Sequence, residues 1–186
     1  MKKIILLTLT IFILNSTLVL ATTKSLHQAK TKADQCYRMP HHTSVTFDQL
    51  KSLSGSWSGT KNEANGKKSP VRVTYKTTAG GSALLETLFP QTKMEMISVY
   101  ALQDKKIRMT HYCMMGNQPN MILDSSTANT LHFKYVKSPG ICSCKDSYMG
   151  ALTMTFKNKN HMNQEWVMFE KGEKKMTAVL ELTRGK

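Results

Sequence analysis

The densest chemistry in the chain lies in Thr110-His111-Tyr112-Cys113-Met114-Met115-Gly116-Asn117-Gln118-Pro119-Asn120, which joins an imidazole, a phenol, a thiol and several amides in one short segment. A link that only has to reverse the chain uses about two to five turn-formers. His111 and Cys113 suggest a base and a thiol, but at i and i+2 on a strand they point the same way without being forced into hydrogen-bond reach, and no third orienting group is evident. Glu86 and Glu165 suggest an acid/base pair whose separation one sequence does not fix. The remaining chemistry is recognition. Gly116-Asn117 can supply a positive backbone angle, and Gln118 and Asn120 offer directional donors and acceptors. A histidine beside a carboxylate can hold its proton and meet an anionic head group, whereas a neutral one orients a hydroxyl or carbonyl. We therefore expect no catalytic residue and a polar ligand-binding cluster of His111, Glu86, Tyr112, Asn117 and Gln118 with Gln164 or Glu165. Tyr112 joins it only if a bulge shifts the register. The competing reading makes His111 a packed core residue that donates to Tyr75 or a backbone carbonyl, and turns the amides into caps for frayed backbone.

Strands must position these groups, because from Gly55 onward the chain is a succession of period-two segments cut by turn residues. A strand starting at Trp57 is followed by Val71–Lys76, Ala83–Leu88, Met94–Ala101, Ile107–Met114, Pro119–Asp124, Thr130–Val136, Met149–Phe156, His161–Glu170 and Lys174–Thr183. These short links predict an all-β fold: an antiparallel meander of about ten strands closed into a barrel, which removes exposed edges. Residues 71, 73, 75, then 131, 133, 135, then 152, 154, 156 are apolar on one parity, which marks the interior wall. Glu86, His111 and Glu165 interrupt that pattern on other strands. A carboxylate there must be paired, neutral or facing water, although Leu85 and Trp166 on the opposite parities are equally eligible to point inward. Met94, Met96, Met109, Met154 and Met176 suit a cavity wall of adaptable shape, or else a packed core. Ahead of the strands, Thr46 with Gln49 predicts a capped short helix whose Phe47, Leu50 and Leu53 form one stripe, making it a lid or plug.

Lys2-Lys3 followed by an apolar run to Leu20-Ala21 reads as a secretory signal over 1–21, cleaved after Ala21. Residues 22–44 then form a flexible segment, and 45–186 the barrel domain. The destination is the periplasm or the extracellular space, where cysteines pair. A bridge within Cys142-Ser-Cys144 is strained, so Cys36 is expected to join Cys142 or Cys144. Metal binding by that Cys-x-Cys with Cys36 and a histidine is the alternative, and no Cys-x2-Cys pair supports it. The formal charge of +14 falls to +12 once Lys2 and Lys3 leave. That excess sits in lysine pairs beside turn residues, and only four arginines are present. The pattern argues against nucleic acid and allows at most peripheral contact with anionic envelope surfaces.

Phe47-x-x-Leu50-x-x-Leu53-x-Gly55-x-Trp57-x-Gly59, Thr78 to Glu86, His111-Tyr-Cys113 with Gly-Asn-Gln-Pro119, and Asn163-Gln-Glu-Trp166 resemble a bacterial family of calycin-type barrels over roughly residues 45 to 184. The resemblance implies a fold related to lipocalins and fatty-acid-binding proteins, which hold small apolar or amphipathic molecules inside the barrel. It also implies that Trp57 plugs the barrel base. Nitrobindin-like haem barrels are similar at Gly55, Trp57 and Gly59, but Lys61 replaces their third glycine, and His161 is the only late histidine available for iron. The expected function is a secreted or periplasmic binding protein for a small apolar or amphipathic ligand without a cofactor. The alternatives are a haem protein, or a structural or protein-interaction barrel with no ligand.

Overall fold

A computed structural model describes residues 44–63 and 66–185. The predicted signal sequence, the segment that follows it and Cys36 lie outside the described residues. Helix α1 (Val45–Lys51) precedes β1 (Gly55–Glu63), β2 (Lys68–Thr78), a 3-10 turn (Ala79–Gly81), β3 (Ala83–Leu88), β4 (Met96–Gln103), β5 (Lys106–Tyr112), β6 (Asn120–Ser126), β7 (Thr130–Val136), β8 (Ser147–Asn158), β9 (His161–Glu170) and β10 (Glu173–Arg184). Each strand pairs antiparallel with the next, and β1 pairs with β10 from Trp57↔Arg184 to Glu63↔Ala178, so the ten strands form a closed barrel.

An antiparallel meander sends alternate links to opposite ends. The links after β1, β3, β5, β7 and β9 gather at one end, and those after β2, β4, β6 and β8 at the other. Helix α1 corks the second end: Gln49 Nε2 donates to the Ala128 carbonyl at 3.0 Å, and Arg184 donates to the Ser52 and Ser54 carbonyls at 2.9 Å each. Phe47, Leu50 and Leu53 are buried, as a plug requires. The helix is capped by Ser44 rather than Thr46. Ser44 is extended (φ −149°, ψ 130°) and its hydroxyl accepts from the Phe47 amide, so the third helical residue is Phe47 and no capping box forms.

The Gly-x-Trp-x-Gly start has a physical reason in this seam. The Trp57 indole N–H donates to the Leu53 carbonyl at 2.9 Å, and the Arg184 guanidinium lies 4.4 Å above its ring, locking helix, first strand and last strand together. A Cβ at Gly59 would sit 1.8 Å from the Glu181 carbonyl oxygen, so any side chain there would push β10 away from β1.

Val71, Val73, Tyr75, Leu131, Phe133, Leu152 and Met154 are all buried, and the apolar parity is the interior wall. Tyr100 packs edge-on against Phe133 with centroids 5.6 Å apart, filling the plugged half. Two strand ends differ from the sequence pattern. Turns from Phe89 to Glu95 delay β4 until Met96, and the Cys113 N–H bonds to the Asn117 carbonyl at 3.1 Å, so β5 stops at Tyr112 and Cys113 to Met115 belong to the following loop.

Candidate functional site

Glu86 points into the barrel and is fully buried. Its Oε1 accepts from Tyr75 Oη at 2.7 Å and from Gln164 Nε2, while Oε2 accepts from Tyr100 Oη at 2.8 Å. Gln164 Nε2 also donates to Tyr75 Oη, and Gln164 Oε1 accepts from Trp166 Nε1 at 3.0 Å. Four strands thus supply one polar network: β2 gives Tyr75, β3 Glu86, β4 Tyr100 and β9 both Gln164 and Trp166. Burial first, and then the neighbouring Glu86 carboxylate, hold both phenols well above the ordinary tyrosine range, so they remain donors. A buried carboxylate is tolerated because both oxygens are met by donors.

Above this network the barrel opens at the end opposite the helix. A cavity of about 170 Å³ is lined by Leu88, Phe89, His111, Cys113, Trp166 and Ala178, among others, together with seven methionines: Met94, Met96, Met114, Met115, Met149, Met168 and Met176. Seven of the thirteen methionines of the chain therefore gather here. Met149, Met168 and Met176 are cross-strand partners on β8, β9 and β10. Met94, Met114, Met115 and Met176 are exposed and form an apolar rim. Lys61 also reaches the lining, with its Nζ 2.8 Å from Glu63 Oε1.

His111 joins the two regions. It is only 1 % exposed, its Nδ1 lies 3.0 Å from Ser98 Oγ, and its ring is 4.8 Å from that of Trp166, whose indole N–H continues into the glutamate network. Burial lowers its pKa to about 4, so the ring is neutral at ordinary pH. Cys113 follows on the cavity wall with its thiol pushed up by burial, and its Sγ lies 4.0 Å from Met96 Sδ.

Of the residues predicted from sequence, Glu86 and Gln164 meet directly, and His111 reaches them through Trp166. Tyr112 does not join them: the β4–β5 register runs unbroken through Ile97↔Tyr112, so no bulge turns the phenol inward and it stays 49 % exposed. Glu165 is exposed because Gln164 and Trp166 take the inner parity. Asn117 pins its loop to the start of β8, its Nδ2 donating to the Ser147 carbonyl at 2.8 Å, while Gln118 is exposed in the same loop. Neither lies on the cavity wall. Cys142 and Cys144 are exposed with sulfurs 3.0 Å apart, and neither forms a disulfide among the described residues. His161 is exposed at the plugged end, bonded to Thr183, and so does not face the interior where a haem iron would need it.

Tyr75, expected beside His111, bonds to Glu86 instead, and sequence patterns alone missed Tyr100 and Ser98 as partners and Met149 and Met168 as lining. Met149 has the wrong parity relative to Leu152 and Met154, but the register shifts between Met149 and Ala151, and it reaches the cavity. Met109 and Met154, expected as lining candidates, are instead deep in the core.

No protein-family model matches the chain, and no curated protein matches it either. Among solved structures it is similar to a redesigned β-barrel at 13 % identity, over 73 % of this chain and 93 % of that one, with a TM-score of 0.34. A likeness at that level carries no argument about function, and the closed ten-stranded barrel stands on the strand pairing itself.

Proposed function

We propose that this is an exported, calycin-type binding protein that takes a small apolar or amphipathic molecule into the open mouth of the barrel. The methionine-lined cavity is the observation that carries this reading. Unbranched thioethers adapt to irregular shapes, and a cavity of roughly 150 Å³ accommodates a molecule the size of benzene. The cavity therefore takes a small ligand, or the end of a longer chain whose remainder lies across Met94, Met114, Met115 and Met176. Lys61 lines the mouth in an ion pair with Glu63, so an anionic head group would share that cation with the Glu63 carboxylate. Below the cavity the interior is filled by the glutamate network and by Tyr100, Phe133 and Phe47, so the ligand does not pass through the barrel.

The chain carries two tryptophans. Trp57 lies at the plugged end and Trp166 on the cavity wall, so Trp57→Phe leaves a reporter at the proposed site. Titration of this variant with saturated carboxylates from hexanoate to tetradecanoate is expected to give a saturable change in Trp166 emission. Ala178→Phe, which fills the cavity, is expected to abolish it. An unchanged spectrum across the series, or unchanged binding in Ala178→Phe, rules the proposal out.

Export rests on Lys2-Lys3 and the apolar run that follows, and the positive surface suits an anionic envelope. In that compartment Cys36 pairs with Cys142 or Cys144. Peptide mapping of non-reduced protein taken from the periplasm should recover that crosslink, and four free thiols there would refute it.

A further inference from the structure

We propose that the barrel mouth also binds a soft monovalent metal ion of the copper(I) class, through Cys113 Sγ, Met96 Sδ and the His111 imidazole. Three observations converge on this site. Cys113 Sγ and Met96 Sδ stand 4.0 Å apart across the β4–β5 edge, one position beyond the ladder pair Ile97↔Tyr112. Two sulfurs bound to one ion at about 2.3 Å each with a trigonal angle lie about 4.0 Å apart, so this pair is already spaced for a shared ion. His111 is nine-tenths buried or more on the same wall. It lines the same cavity, and its Nδ1 lies 3.0 Å from Ser98 Oγ. Metal-ligating histidines are oriented in this way, by a hydrogen bond through one ring nitrogen while the other serves as ligand.

The donor types select the metal. Thiolate and thioether are soft ligands that favour copper(I), whereas zinc sites draw on cysteine, histidine and carboxylate. Cys113 and His111 share this wall with Met96, so methionine sulfur completes the donor set. Met94, Met114, Met115 and Met176 give an incoming ion weak soft ligands along its entry path. Binding balances as a proton exchange: the copper(I) ion bonds to Cys113 sulfur and the thiol proton leaves to solvent, with no change in oxidation state. The apolar-ligand reading is not required for this site, and fatty carboxylate binding can fail while copper binding succeeds.

The test is anaerobic titration of the mature chain with copper(I) supplied as its bicinchoninate complex. One equivalent is expected to transfer to the protein. Cys113→Ser should weaken binding roughly 100-fold or more, and Met96→Leu, which conserves volume, roughly 10-fold. The triple variant Cys36→Ser/Cys142→Ser/Cys144→Ser, which leaves Cys113 as the one thiol of the mature chain, should still take up one equivalent, which separates this site from the other cysteines. X-ray absorption should show a sulfur-rich shell with imidazole scattering that His111→Gln removes. Failure of transfer, binding unaffected by both Cys113→Ser and Met96→Leu, or binding lost in the triple variant would each overturn the proposal. If Cys113→Ser does not fold, Met96→Leu decides alone.

Discussion

Glu86→Ala is expected to destabilise the barrel by about 4 kcal/mol, because removing one member of a buried charged network strands the others. Tyr75 and Tyr100 lose the acceptor of their hydroxyl protons, and the Gln164 amide loses a carboxylate. The two phenol protons are then buried with no carboxylate to accept them, and Gln164 Nε2 keeps only its bond to Tyr75 Oη, so the network bears an uncompensated desolvation cost. For a domain of this size the midpoint of thermal unfolding should fall on the order of 15 °C. Glu165→Ala supplies the control, since that carboxylate is exposed one strand residue from Gln164 and its loss should move stability by about 0.5 kcal/mol or less. Pairing Glu86→Ala with Tyr75→Phe should be clearly less harmful than the sum of the two, because the second change removes a donor the first has orphaned. A melting curve of Glu86→Ala within a few degrees of the parent would show that the network is not the internal brace described here.

The barrel was legible in the sequence because period-two alternation is a local signal repeated along the whole domain. Val71, Val73 and Tyr75 declare their face without reference to any other strand, and closure follows from the number of strands and the shortness of the links. Glu86 was legible only as a problem, a carboxylate competing with Leu85 for the inner face. Its solution lies in Tyr75, Tyr100 and Gln164, whose sequence separations from it run from 11 to 78 residues. Closure and register create that meeting, and no local pattern carries it. The methionine mouth was half visible for the same reason. Met96 keeps the plain alternation of β4, whereas Met149 depends on an irregularity in β8 that inverts its parity and Met176 sits beside a register shift in β10. The segment from Thr110 to Asn120 stood out by composition, yet composition could not divide it into His111 and Cys113 inside, Tyr112 outside, and Asn117 spent on fastening the loop.

Stability should also fall as the solution is acidified from about pH 6.5 to pH 4, and His111 should account for much of that fall. In the unfolded chain an ordinary histidine takes up its proton near pH 6.5. In the barrel, burial against Trp166 and Ser98 lowers the His111 value to about 4. Because the folded value is depressed, the contribution is fully present above pH 6.5 and is lost as the pH falls through 4, since the unfolded chain then binds the proton more readily than the folded one. The shift corresponds to a loss on the order of 3 kcal/mol across that window. The quantity that isolates this residue is the difference between the parent and His111→Gln at each pH. That difference should favour the parent at neutral pH, where the glutamine disturbs the contact with Ser98, and should shrink or reverse toward pH 4. A difference that stays constant across the window would mean that the imidazole charges as easily inside the barrel as outside.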